Sequence, residues 1–381
     1  MKIGILTQPL HNNYGGLLQN YALQQVLKGM GHEVETLDWK AKPEPVREFM
    51  WGLKQRMLWL KDNTVKLPRY QPTAKEIAVM SRYTYRFVER YLTVCPHKAA
   101  TEDEFGRIGR AQGYEAYVVG SDQVWRPSYN PLQLAMFLSF AENDDVKRIA
   151  YAASFGVSAW EFSPRMTEMC ARLLRKFELV TVREKSAVDL CRKYLGVKAT
   201  HVLDPTMLLN KEDYIRLVEK EKEPVSGGTL FYYILDPCDE KKSLIDDIAT
   251  KQGLIPFTIL PKCQAENRTK WDIKNRIEDC VYPSVTSWLR GFMDARMVIV
   301  DSFHGAVFSI IFNKPFWVIA NAKRGNVRFE SLLGMYGLED RMITLEDNVD
   351  WNKAIDWERM NEIRQKEAAR CKLLLEDVFK Q

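Results

Sequence analysis

The sequence is poor in metal ligands and in paired thiols. Its seven cysteines (95, 170, 191, 238, 263, 280 and 371) are scattered, odd in number and never spaced CxxC, which argues against a zinc site and a disulfide framework. Its five histidines (11, 32, 97, 201 and 304) form neither HxxxH nor HxH, so no metal is expected. GxxxxGK[ST] and GxGxxG are both missing, which leaves ATP and NAD poorly supported. GxSxG and HExxH are missing too. No apolar run reaches the ~18 residues of a membrane-spanning helix, and MKIGILTQPL reads as a strand with no signal-peptide pattern after it. A cytoplasmic location is therefore expected. The charge is only +5, from 55 basic and 50 acidic side chains, and no dense basic run is interleaved with stacking aromatics. Nucleic acid is not an expected partner.

What is present is globular: 46% apolar and 28% charged residues in 381, enough for two domains with separate cores. Residues 2–7 read as a strand, and HNNYGG (11–16) as a polar loop whose Gly15 and Gly16 would let a phosphate or sugar approach the backbone. An apolar stripe over 17–30 predicts a helix, Gly31 its stop, and 33–37 a second strand. This is the opening βαβ of a Rossmann-like domain. Residues 47–60 then mix Trp51, Trp59 and Phe49 with Arg47, Lys54 and Arg56, inside a helical insertion at about 43–92. Such a segment can lie in a membrane interface and give peripheral association at its inner face; more often it packs on its own domain.

Strands are predicted over 116–119, 148–154 and 179–182. The first runs into Gly120-Ser121-Asp122 and on to Trp125, a build suited to a ligand loop at a sheet end. The third runs into Arg183, whose fork suits a carboxylate or phosphate, or else a neighbouring acid. The pattern then divides as 1–206 (first domain), 207–345 (second Rossmann-like domain) and 346–381 (a charged amphipathic helix packing back). In the second domain, strands are predicted at 230–235 and 255–260, with helices at 240–252 and 285–295.

The chain is organised around residues 297–319, MVIVDSFHGAVFSIIFNKPFWVI. A short β-branched strand gives way at DSFHG to an apolar helix, and Asn313 and Pro315 stop that helix before the next strand. His304 therefore sits where strand becomes helix, at the carboxyl edge where open α/β sheets bind ligands and helix N-termini attract anions. A bare capping role is the alternative. Lys323, Arg324 and Arg328 follow the next strand. With Arg183 across the cleft, these cations describe a site for a small, highly anionic ligand.

Five blocks, NNYGGLLQNYAL (12–23), VVGSDQVWRP (118–127), TVREKS (181–186), LDPT (203–206) and DSFHGAVFSIIFNKPFWVI (301–319), together resemble the polysaccharide pyruvyl transferase family. The resemblance implies an α/β, GT-B-like fold with two Rossmann-like domains facing a cleft. It also implies transfer of the enolpyruvyl or pyruvyl group of phosphoenolpyruvate to a sugar of a bacterial surface polysaccharide, as a ketal. No metal or cofactor is implied; the partners are phosphoenolpyruvate and a sugar or lipid-linked oligosaccharide. His304 matches the family's acid–base histidine and Arg183 its donor-holding arginine, with Lys323, Arg324, Arg328, Ser302 and Gly305 about the donor. The acceptor would meet Asn13, Tyr14, Gly15, Gly16, Ser121, Asp122 and Trp125. One position departs: an arginine often stands two residues before the histidine, where this chain has Ser302. A GT-B enzyme using a nucleotide-sugar donor, with Asp301 as its carboxylate, and a non-catalytic glycan-binding relative are the competing readings.

Overall fold

The computed structural model describes residues 1–40, 57, 70–264, 268–320 and 325–380. Its frame is two all-parallel sheets. In the first, β1 (Lys2–Leu6), β2 (Glu33–Thr36), β3 (Ala116–Val119), β4 (Lys147–Ala153), β5 (Leu179–Val182) and β6 (Thr200–His201) run in the order β2-β1-β3-β4-β5-β6. In the second, β7 (Leu230–Tyr233), β8 (Pro256–Phe257), β9 (Met297–Val300), β10 (Phe316–Ile319) and β11 (Met342–Ile343) run β11-β10-β9-β7-β8. β3, β9 and β10 are buried at every position, as expected for strands covered by helices on both faces.

The strand order reverses between β1 and β3 in one sheet, and between β7 and β9 in the other. At such a switch point the connections leave in opposite directions and open a crevice beyond the strand ends. Two helices begin there. Helix α1 (Tyr14–Gly29) is capped by Asn13, whose side chain accepts from the Gly16 N–H. It thus starts within HNNYGG rather than at residue 17: the cap draws Tyr14, Gly15 and Gly16 into its first turn. Helix α2 (Phe303–Ile311) is capped by Ser302, which accepts from the Gly305 N–H at 3.1 Å.

One apolar cluster spans both sheets, while the other face of each sheet packs into a cluster of its own. A continuous apolar cluster holds Ile5 and Val118 of the first sheet, Val300 of the second and Phe308 of α2. Helix α3 (Val327–Tyr336) also reaches across, through Ser331 Oγ accepting from the Lys185 N–H. Helix α4 (Trp357–Lys380) packs back on the first sheet, as expected from its sequence. It buries Met360, Arg364, Ala368, Cys371, Leu375 and Val378 at helical spacing, while Arg370 donates to the His201 carbonyl and Arg364 to that of Leu209.

β6 and β11 carry too few residues for a strand pattern to show in the sequence, and the expected strand at 255–260 shrinks to two residues. Of the insertion, 41–56 and 58–69 lie outside the described residues, so the membrane reading of 47–60 does too. Its described helix Arg82–Tyr91 packs on α1, with Phe87 edge-on to Tyr21 and Thr84 bonded to Asn12. No described helix is long and apolar enough to cross a membrane.

Candidate active site

A cavity of about 340 Å³ lies where the two switch points meet. Gln8, His11, Asn13 and Gly15 reach it from the end of β1, and Asp122 and Gln123 from the end of β3. Facing them are Tyr233 at the end of β7 and Leu235 beyond it, and Asp301, Ser302, Phe303 and His304 beyond β9, with Tyr129, Trp288 and Arg328 completing the wall. The loop after β3 takes its sharp course through Gly120, at φ +118°, where a Cβ would meet the Tyr151 carbonyl at 2.2 Å. Asp122 follows at φ 71°, a left-handed conformation that aspartate tolerates.

Beneath the cavity floor lies a buried charge network centred on Asp204. Its carboxylate is fully buried; Oδ2 takes Arg183 Nη1 at 2.9 Å and Ser121 Oγ at 3.0 Å. Oδ1 takes the Thr206 N–H at 3.0 Å and Thr206 Oγ1 at 2.7 Å. Arg183 also reaches Asp122 Oδ1 at 3.2 Å, and its side chain is 1% exposed. His304 arrives from the other sheet: its Nε2 is 3.5 Å from Asp204 Oδ2. The ring is pressed against Gly15, where a Cβ would stand 2.1 Å from Nδ1. Two guanidiniums lie near the Phe303 ring, Arg183 at 4.4 Å and Arg328 at 5.9 Å from its centroid.

The electrostatics follow from this arrangement. Burial alone would raise Asp204, but His304 and Arg183 hold it well below the usual carboxylate range. Asp122 is likewise lowered against its burial, by Arg183, His304 and Arg328. Burial, and then the like charge of Arg183, push Arg328 down to about 10. Burial outweighs the nearby arginines at Glu184 and raises it. Because Asp204 and Asp122 titrate lower folded than unfolded, their stabilisation is complete above pH ~4 and is lost as pH falls through the folded values. Glu184 acts oppositely, its contribution being complete at low pH and lost as pH rises through its raised value. Chemical denaturation should therefore show stability falling between pH ~4.5 and ~2.5; a flat profile there would contradict the network.

Gly15→Ala places a methyl inside the His304 ring position. We expect turnover to fall at least ~10-fold and stability by about 1–3 kcal/mol. Gly29→Ala is the control in the same helix, since a Cβ there meets nothing within 4 Å; turnover should hold and stability should stay level or rise by up to ~1 kcal/mol.

Residues 13–323 match the polysaccharide pyruvyl transferase family. The chain belongs to that family. No curated protein matches it. Among solved structures it is similar to the UDP-GlcNAc 2-epimerase of Methanocaldococcus jannaschii, at 11% identity and TM-score 0.51, covering 98% of this chain and 99% of that one. It is also similar to the UDP-GlcNAc 2-epimerase of Neisseria meningitidis bound to UDP-GlcNAc (8%, TM-score 0.49, 100% and 99%) and to MurG of Acinetobacter baumannii (11%, TM-score 0.44, 100% and 99%). The fold of this pyruvyl transferase family member is GT-B, two Rossmann-like halves about a cleft.

The expected site residues divide by location. His304, Ser302, Arg328, Asn13, Gly15 and Asp122 line the cavity. Arg183 does not; its fork is occupied by two buried aspartates. Tyr14 is core, 5.9 Å from Trp288 and donating to the Pro283 carbonyl. Trp125 is core as well, stacked on Phe137 with its indole N–H on the Met136 carbonyl. Ser121 serves Asp204, Gly16 donates to its own cap, and Gly305 packs against Val300, where a Cβ would be 2.7 Å away. Lys323 and Arg324 lie outside the described residues. Ser302 is the cap of α2, its hydroxyl accepting from the Gly305 N–H.

Sequence reasoning missed Asp204, His11, Tyr233 and Trp288. Asp204 stood in the LDPT block, and His11 in a polar loop after a strand; both were visible signals. Tyr233 and Trp288 fall within the predicted strand 230–235 and helix 285–295 and are buried, yet they line the cavity. Among the described residues no group of three or more His, Cys, Asp or Glu side chains could hold a metal ion.

Proposed function

We propose that this chain transfers the pyruvyl carbons of phosphoenolpyruvate to a sugar of a bacterial surface polysaccharide, as a ketal, at the cytosolic side. The observation that carries the proposal is His304 at the N-terminal end of α2, on the wall of a cavity that also presents Arg328. A donor with a carboxylate and a phosphate is favoured by the guanidinium and by the positive end of a helix. Protonation of the donor's methylene carbon makes C2 electrophilic, and a sugar hydroxyl adds to C2 as its proton is taken up. Phosphate then leaves and a second hydroxyl closes the ketal, so phosphoenolpyruvate and a diol give ketal and inorganic phosphate. His304 serves these proton transfers as general acid and base. The acceptor enters over Asn13 and Asp122 and against Trp288 and Tyr233.

The nucleotide-sugar alternative loses its carboxylate. Asp301 is fully buried and accepts from the Leu235 and Asp236 N–H groups and from Lys241 Nζ, at 2.7, 3.1 and 2.8 Å. It borders the cavity, but both its oxygens are already taken in bracing the ends of β7 and β9, which disfavours it as a ribose ligand.

A thermal-shift titration tests the donor. Phosphoenolpyruvate at ~100 times its dissociation constant should stabilise the protein by about 2.7 kcal/mol, well beyond phosphate or a UDP-sugar, and Arg328→Ala should abolish the difference. A rise matched by phosphate, or given by the UDP-sugar alone, overturns the reading.

A further inference from the structure

We propose that Asp204 is the positioning residue for His304: it fixes Nε2 as the protonated ring nitrogen and leaves Nδ1 as the atom that exchanges protons in the cavity. This rests on the acid–base role proposed for His304, but it concerns which atom acts and what holds it.

Three observations lead there. First, Nε2 is buried, has no hydrogen-bond partner within ordinary distance, and has Asp204 Oδ2 at 3.5 Å. Catalytic hydrogen bonds are commonly long before substrate binds and tighten in the complex. Second, Asp204 is held in place from every other side, by Arg183, Ser121 and Thr206. A carboxylate anchored by four donors can orient a fifth group without moving itself. Its charge is secured too, since its neighbours keep it ionised. Third, the other ring nitrogen, Nδ1, lies against Gly15, which lines the cavity. A Cβ at 15 would overlap the ring itself, so glycine is what lets the imidazole stand at the cavity wall; with Nε2 buried, the ring's 11% exposure lies elsewhere on it.

The pair is also divided between the two halves of the protein. Asp204 follows β6 and leads into the turn Pro205–Leu208, which packs under α1 and α4. The preceding Leu203 N–H is bonded to Cys371 Sγ of α4. His304 belongs to α2, in the other half. The acid–base group is thus complete only when the two sheets are closed on each other, and α4 supports one side of the pair from behind. Carboxylate–imidazole pairing of this kind selects a tautomer and stabilises the imidazolium that forms on proton uptake.

The test is histidine ring NMR on the full-length protein, at a pH where the ring is neutral, with His304→Gln used to assign the signal among the five histidines. The proposal requires the Nε2–H tautomer in the wild type; an Nδ1–H ring overturns it, and no folded variant is needed for that reading. In Asp204→Asn, the tautomer preference should be lost and kcat should fall about 10²-fold or more while KM for phosphoenolpyruvate stays within about threefold. Asp204→Glu should recover part of kcat. An Asp204→Asn protein with an unchanged tautomer and wild-type kcat overturns the proposal. A protein with the Nε2–H tautomer that never consumes phosphoenolpyruvate removes the donor reading and leaves the pair standing.

Discussion

His304→Gln should lower turnover about 10²–10⁴-fold, the range ascribed to a positioned acid–base group, while the protein still melts cooperatively near the wild-type temperature. The expectation of a preserved fold is specific. Removing the imidazole leaves Asp204 bonded to Arg183, Ser121 and Thr206, so no buried carboxylate is left unpaired. Glutamine also fills most of the volume against Gly15. The ring is 11% exposed, so whatever it does for stability comes from packing and one long ion contact. The assay is phosphate release from phosphoenolpyruvate with a glycan acceptor, read beside a melting curve. A variant with wild-type turnover removes His304 from the chemistry and returns it to the role of a residue in a helix's first turn.

The largest stability effect should come from Arg183→Ala, at about 3–5 kcal/mol. Its guanidinium bridges Asp122 and Asp204, and all three side chains are 8% exposed or less. Removing the cation leaves two carboxylates in a low-dielectric interior, where they must remain charged at high cost or take up protons. Arg183→Lys should recover little, because one ammonium cannot span both acids as a planar fork does. Chemical denaturation measures this directly. Loss of a ligand-induced shift in Arg183→Ala would therefore report a damaged site rather than a missing contact. Arg328, on the cavity wall, is the better probe. An Arg183→Ala protein of wild-type stability that has lost only phosphoenolpyruvate binding would restore Arg183 to the donor site.

Much of the frame was legible because periodicity reports burial. The run at 297–300, the helix after it and the strand at 316–319 were readable since interior parallel strands are apolar throughout and Pro315 forces a break. The first turn of α1 was not, because Asn13 and two glycines look the same in a loop as at a capped helix start. The aromatic guesses failed for a related reason. Tyr14 and Trp125 stand beside polar loop residues in sequence, but their rings turn into the core, whereas Trp288 and Tyr233 border the cavity from within apolar stripes. Hydrophobic patterning says that a side chain is buried. It does not say whether a ligand lies on its other side.

The sequence by itself determined the alternation of strands and helices, the family, and the placing of one histidine at the start of an apolar helix. All of these depend on residues close along the chain. Only the tertiary structure decided what that histidine meets. Asp204 is a hundred positions away in the other half, and Arg183 is turned from ligand to brace by two aspartates that no spacing rule connects. Charge pairing in the interior is settled by which groups are desolvated together, and that depends on how the sheets close.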